Sequence, residues 1–101
     1  MPYTSGEWHV KSAREDEFVL EWRDLAQWTI ENVRGASWAR LLRDREQPTR
    51  FVSLGPWTDD EAIQEWRSHP VFKERVGRLR DLVERFDAKV LDPATEVGLA
   101  D

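Results

Sequence analysis

A single apolar stripe limits the folds open to this chain. Phe18, Trp22, Leu25, Thr29 and Val33 recur at the three- and four-residue spacing of one helix face, flanked by Val19, Ala26 and Ile30. That periodicity predicts an amphipathic helix over Glu15 to Asn32. Ser12 with Glu15 three residues on has the form of a capping box. Glu15, Asp16 and Glu17 put negative charge where the helix dipole favours it, and Gly35 supplies a stop. A helix with one apolar face must lay that face on another element. The preceding residues offer one: Tyr3 to Lys11 carries aromatic and β-branched side chains in loose alternation, as a strand does.

The same grammar repeats after Gly35. Ala36 to Asp44 reads as a strand, with Trp38, Arg40 and Leu42 on one face and Ala39 and Leu41 nearer the other. A charged turn through Pro48 leads into a strand over Arg50 to Leu54, which makes the pair a hairpin, and Gly55-Pro56 ends it. Thr58 and Glu61 form a second capping box ahead of a helix whose apolar face is Ala62, Ile63 and Trp66. Pro70 cannot continue that helix without losing a hydrogen bond, so a break is expected at Ser68-His69-Pro70. Phe72, Val76, Leu79, Val83 and Phe86 extend the helical stripe to Phe86, with a Lys/Arg-rich face toward water. Asp87 to Asp92 is short and β-like, and Pro93 to Asp101 reads as an extended tail.

The reading is therefore one α+β domain over residues 1–101, with a core over 3–95 and a tail over 96–101. The element order is β-α-β-β-α-β, the ferredoxin-like order, with an antiparallel sheet and the second helix broken near Pro70. Composition narrows the partners. A net charge of -5 repels nucleic-acid phosphates and anionic membranes. The chain has no cysteine, which removes disulfides, thiol nucleophiles and thiolate metal sites. No metal site is expected either, since the two His lie far apart in the sequence. No stretch approaches the roughly 20 apolar residues of a membrane span, and the cytoplasm is the expected location. Six Trp are more than a domain of this size ordinarily buries in its own core, so some are expected to line a cavity or an interface.

One run of residues narrows the fold further. Phe51-Val-Ser-Leu-Gly-Pro-Trp57, the acidic turn after it, and Ala62-Ile-Gln-Glu-Trp66-Arg-Ser-His69-Pro70 with Phe72 resemble the antibiotic biosynthesis monooxygenase family of the dimeric α+β barrel superfamily. The resemblance extends over about residues 3 to 95. It implies a homodimer whose two sheets pack face to face, each protomer keeping a pocket between its sheet and its helices. It also implies oxygenation of a small aromatic or polyketide-like molecule with no cofactor. Such members use an Asn one turn before a helical Trp; here Trp66 fits, but the earlier position is Ala62. Haem-degrading members use an Asn on the first strand, absent here, with a Trp and an axial His on the second helix.

Six side chains stand out as candidates. Trp66 is read first as core packing and second as the wall of a pocket for a flat aromatic ligand, and Trp22 and Trp38 are read the same way. Arg40 is read as a partner for an acid across a dimer, or for a ligand carboxylate or phenolate. His9, expected on one strand face with Glu7 and Lys11, is a candidate general base if that face meets the pocket. His69 is read as a helix-capping imidazole, with catalysis or haem ligation as the alternative. Ala62 in place of an Asn also leaves open a ligand-binding or scaffold homodimer without catalysis.

Overall fold

The structure, a computed structural model, describes residues 1–98, so the last three residues of the expected tail lie outside the described residues. Its elements are β1 (Tyr3–Val10), α1 (Glu15–Asn32), β2 (Arg40–Arg43), β3 (Arg50–Pro56), α2 (Asp60–Ser68), α3 (Pro70–Asp81) and β4 (Val83–Leu91). The strands form one antiparallel sheet in the order β2-β3-β1-β4. This is the ferredoxin-like α+β arrangement expected from the sequence, with the second helix split in two.

Strand alternation divides the sheet into two faces. Trp8 and Val10 of β1, and Phe51 of β3, point toward the helices and join Phe18, Leu25, Leu79, Leu82 and Val83 in the main core. Phe18 bridges the layers, with its ring 5.3 Å from Trp8 and 5.2 Å from Phe51. A smaller cluster of Trp57, Ala62 and Ile63 holds α2 against the end of β3.

The break at Pro70 falls where expected. His69 is extended (φ -71°, ψ 134°), the conformation that a following proline favours. Pro70 opens α3 at a position whose N–H has no helical partner to lose.

Four local expectations are corrected. The Ser12 capping box does not form: Arg14 occupies the cap position of α1 with no side-chain cap, and the first turn relies on Glu15, Asp16 and Glu17. At α2 the cap is Asp59, one residue beyond Thr58, its carboxylate accepting from the Ala62 N–H at 2.8 Å. The strand expected from Ala36 is regular only from Arg40, with Ala36 making an isolated bridge to Trp57. Finally, α3 stops at Asp81, and residues 83–86 belong to β4. The spacing of Leu79, Val83 and Phe86 fits a helix. Pairing with β1 along the length of β4 prevails, because it satisfies a strand's backbone groups and stacks Phe86 on Trp8 at 4.0 Å.

Candidate functional site

Between the sheet and the helices lies a cavity of about 580 Å³. Its floor comes from the inward residues of β1, with Gly6 at the centre. A Cβ on Gly6 would stand 2.8 Å from the Trp8 indole nitrogen and 2.9 Å from Ser53 Oγ, so only hydrogen fits. Its walls are largely indole: Trp8, Trp22, Trp38, Trp57 and Trp66 line it, five of the six Trp of the chain.

Three of these indoles are tied down by the protein. Trp8 Nε1 donates to Ser53 Oγ at 3.0 Å, Trp57 Nε1 to Thr4 Oγ1 at 2.9 Å, and Trp66 Nε1 to Thr29 Oγ1 at 2.9 Å. A buried indole N–H without an acceptor is costly, so these bonds set ring orientation as well as stability. Trp57, Trp66 and Phe72 then follow one another at ring separations of 4.9 and 4.4 Å, making a continuous aromatic wall. Trp22 and Trp38 have no such bond among the described residues, and Trp38 is exposed to solvent.

The structure sorts the six sequence candidates into two groups. Trp22, Trp38 and Trp66 come together around the cavity. His9, Arg40 and His69 do not line it. His9 shares a strand face with Glu7 as expected, but the opposite face from Trp8 and the cavity. Its Nε2 is 3.5 Å from Glu7 Oε2 and makes no hydrogen bond. His69 Nδ1 accepts from the Val71 N–H at 3.1 Å, and its ring meets Trp28 edge-on at 4.7 Å, so it is the cap of α3. As an acceptor, that nitrogen carries no proton. Lys11 leaves the strand face to donate to the Asp81 carbonyl at 2.9 Å. Arg40 lies over Trp38, its guanidinium carbon 5.2 Å from the ring centroid.

Charge is arranged differently on the two sides of the sheet. On the face away from the helices, Arg50 Nε contacts Glu7 Oε2 at 2.6 Å and Arg50 NH1 contacts Asp44 Oδ2 at 3.3 Å. The Arg50 hydrogen bond holds the Glu7 carboxyl below its ordinary range. The N–H groups of Glu46 and Gln47, and then Arg50, do the same for Asp44. In the cavity the ionisable lining residues are Arg67, Lys73 and Arg80, all cationic, with no Asp, Glu, His or Tyr among the described residues that line it.

Sequence reasoning did not find Trp8 or Trp57 as cavity residues, nor the three cations. Trp8 was legible as an inward position two residues from a glycine on the same strand. The cations were hidden because Lys73 and Arg80 share a helix with many charged residues, and only the packing of α3 shows which of them face the cavity.

The model of the antibiotic biosynthesis monooxygenase family matches residues 1–78. Among solved structures, the fold is similar to a variant of SnoaB, a cofactor-independent oxygenase from Streptomyces nogalater. That match has 21% identity, a TM-score of 0.87 and 95% of each chain covered. It is also similar to a proposed antibiotic biosynthesis monooxygenase from Deinococcus radiodurans, with 16% identity, a TM-score of 0.85 and 100% of both chains covered. A third, from Nitrosomonas europaea, has 17% identity and a TM-score of 0.81, over 94% of this chain and 100% of the other. At such identities the likeness is one of fold. No curated protein matches the sequence. With the family model covering most of its length, this chain belongs to the antibiotic biosynthesis monooxygenase family.

Proposed function

We propose that the protein is a cofactor-independent monooxygenase that oxidises a small, flat aromatic or polyketide-like molecule in the cavity between sheet and helices. The observation that carries this reading is the cavity wall: five indoles and Phe72 around about 580 Å³, a volume and lining suited to fused aromatic rings. Family membership and the likeness to SnoaB support it.

In this chemistry an activated methylene of the substrate loses a proton to water, and the resulting carbanion, stabilised by its own rings, gives electrons to dioxygen and bonds to it as a peroxide anion. That anion takes a proton back from water, and the hydroperoxide then breaks its O–O bond and the remaining C–H bond to lose water, leaving a carbonyl where the methylene stood. One oxygen atom enters the product and the other leaves as water. The protein's part is to hold the rings between Trp57, Trp66, Phe72 and Trp22 and to exclude bulk water. Neither His9 nor His69 has a role in this scheme, since neither lines the cavity. Arg40 stands outside the cavity lining and lies over one of its walls, Trp38. The test is dioxygen consumption with an anthrone: uptake above a heat-denatured control is expected, and uptake equal to that control overturns the reading.

A second reading, ligand binding without turnover, is favoured by one observation. Ala62, fully buried one turn before Trp66, brings no polar group, and no carboxylate or imidazole reaches the cavity among the described residues. Saturable binding with no oxygen uptake by any ligand of the class is its signature.

The protein is further proposed to act as a homodimer joined through the open face of the sheet. Leu42 on β2 and Leu91 on β4 are each 48% exposed there. With Tyr3, Val52 and Leu54 they give the open face an apolar component beside the Glu7–Arg50 pair. Covering such a face is the usual reason for two sheets to pack together.

A further inference from the structure

We infer that the cavity selects an aromatic anion: a flat apolar ring system ending in a carboxylate or ionised phenol that sits at a cationic rim made by Arg67, Lys73 and Arg80. This rests on the reading of the cavity as a ligand site and names the ligand class it takes.

The chain as a whole carries more acids than bases, 20 against 15. Six of its 15 Lys and Arg contact a carboxylate among the described residues: Arg14, Arg34, Arg43, Arg50, Arg78 and Lys89. On α3 itself, Arg78 is paired with Glu74 at 2.7 Å on the outer face. Arg67, Lys73 and Arg80 are the ionisable residues of the cavity lining, and none of them is in an ion pair among the described residues. Three unpaired charges of one sign gathered at an apolar cavity repel one another and gain from an anion placed between them.

Their positions fit a rim. All three side chains are exposed, whereas Trp8, Trp22, Trp57, Trp66 and Phe72 behind them are buried or half-buried. Lys73, Gly77 and Arg80 share one face of α3 by their spacing. Gly77 lies between the two cations on the lining, and a Cβ built there meets no atom within 4 Å, so the wall is open at that point. An apolar ring system inside, with a charge left at the mouth, keeps the anion hydrated and paired. An anion buried among the indoles alone would carry a heavy desolvation cost.

The experiment is calorimetric titration with a matched pair, anthraquinone-2-carboxylate and its neutral carboxamide. It uses the wild-type protein, the triple variant Arg67→Gln/Lys73→Gln/Arg80→Gln, and Arg45→Gln as an exposed control outside the cavity. In the wild type and the control, the carboxylate is expected to bind about tenfold tighter than the amide, as for charge-assisted contacts at a partly exposed rim. That advantage is expected to disappear in the triple variant and to shrink in high salt, while amide affinity is unchanged, which also shows that the variant is folded. Equal affinities in the wild type, or an advantage that survives in the triple variant, overturn the inference and leave the cavity as a site for neutral aromatics. No binding of either ligand to the wild type overturns both the inference and the reading of the cavity beneath it.

Discussion

Trp66 Nε1 donates to Thr29 Oγ1 at 2.9 Å, and the same hydroxyl donates to the Leu25 carbonyl one turn back at 2.8 Å. One threonine on α1 therefore orients the central indole of the cavity wall on α2. Thr29 is itself buried, so solvent does not compensate when the bond is lost. Thr29→Val keeps the side-chain shape and removes the acceptor. It is expected to destabilise the fold by about 1–2 kcal/mol in urea unfolding and to alter indole emission, while Thr29→Ser retains both properties near wild type.

Two glycines give opposite expectations. Gly35 has φ +89°, and a Cβ there would lie 2.6 Å from Thr58 Oγ1 and 2.8 Å from the Ala62 Cβ. Gly35→Ala is therefore expected to cost about 2–3 kcal/mol through strain and clash. Gly77, in α3 with open space around it, behaves as an ordinary helical glycine, and Gly77→Ala is expected to stabilise by about 0.5–1 kcal/mol. Urea midpoints of the two variants, moving in opposite directions, are the check.

Acid should weaken the protein through identifiable carboxylates. Glu7 is held below its ordinary range mainly by Arg50, Asp44 mainly by the N–H groups of Glu46 and Gln47, and Asp59 mainly by Arg34 and then by the Ala62 N–H. A carboxyl whose folded pKa is depressed adds stability that is complete above its unfolded value and is lost as pH falls through the folded one. Stability is expected to be flat near neutrality and to fall as the pH drops below about 4. Because these groups are partly exposed, each contribution is small and is screened by salt. Asp59→Asn keeps a side-chain acceptor for the helix cap but removes the charge facing Arg34. Its urea midpoint should therefore depend less on pH over that window than that of the wild type.

The proposed dimer is tested at Leu42. Leu42→Asp places a charge on an exposed apolar position of β2, opposite Val52. It should leave the protomer folded by circular dichroism and shift the mass by light scattering from dimer to monomer, whereas Leu20→Asp, on an exposed position of α1, should leave the mass unchanged. A wild-type protein that is monomeric at all concentrations removes the dimer from the proposal.

Much of this protein is written locally in its sequence. The α1 stripe, the hairpin, the break before Pro70 and the order of elements follow from periodicity and from the restricted backbone of proline, which act within a few residues. Trp66 and Trp22 were legible as cavity candidates for the same reason, since each lies on the apolar face of its helix. What local rules could not decide depended on partners distant in the chain. Residues 83–86 satisfy a helical period, yet they become strand because β1 is available to pair with them and Trp8 to stack on Phe86. His9 has the chemistry of a base but lies on the wrong face of β1, a matter of pleat and sheet order rather than of residue type. The caps moved by one or two residues because chain entry into α1 and α2 is set by contacts made elsewhere, such as the Thr58 N–H bond to the Gly35 carbonyl. The cationic rim is the clearest case. The sequence determines that α3 is rich in Lys and Arg, and only the packing of that helix over the sheet decides that Lys73 and Arg80 meet the cavity while Arg78 turns outward to Glu74.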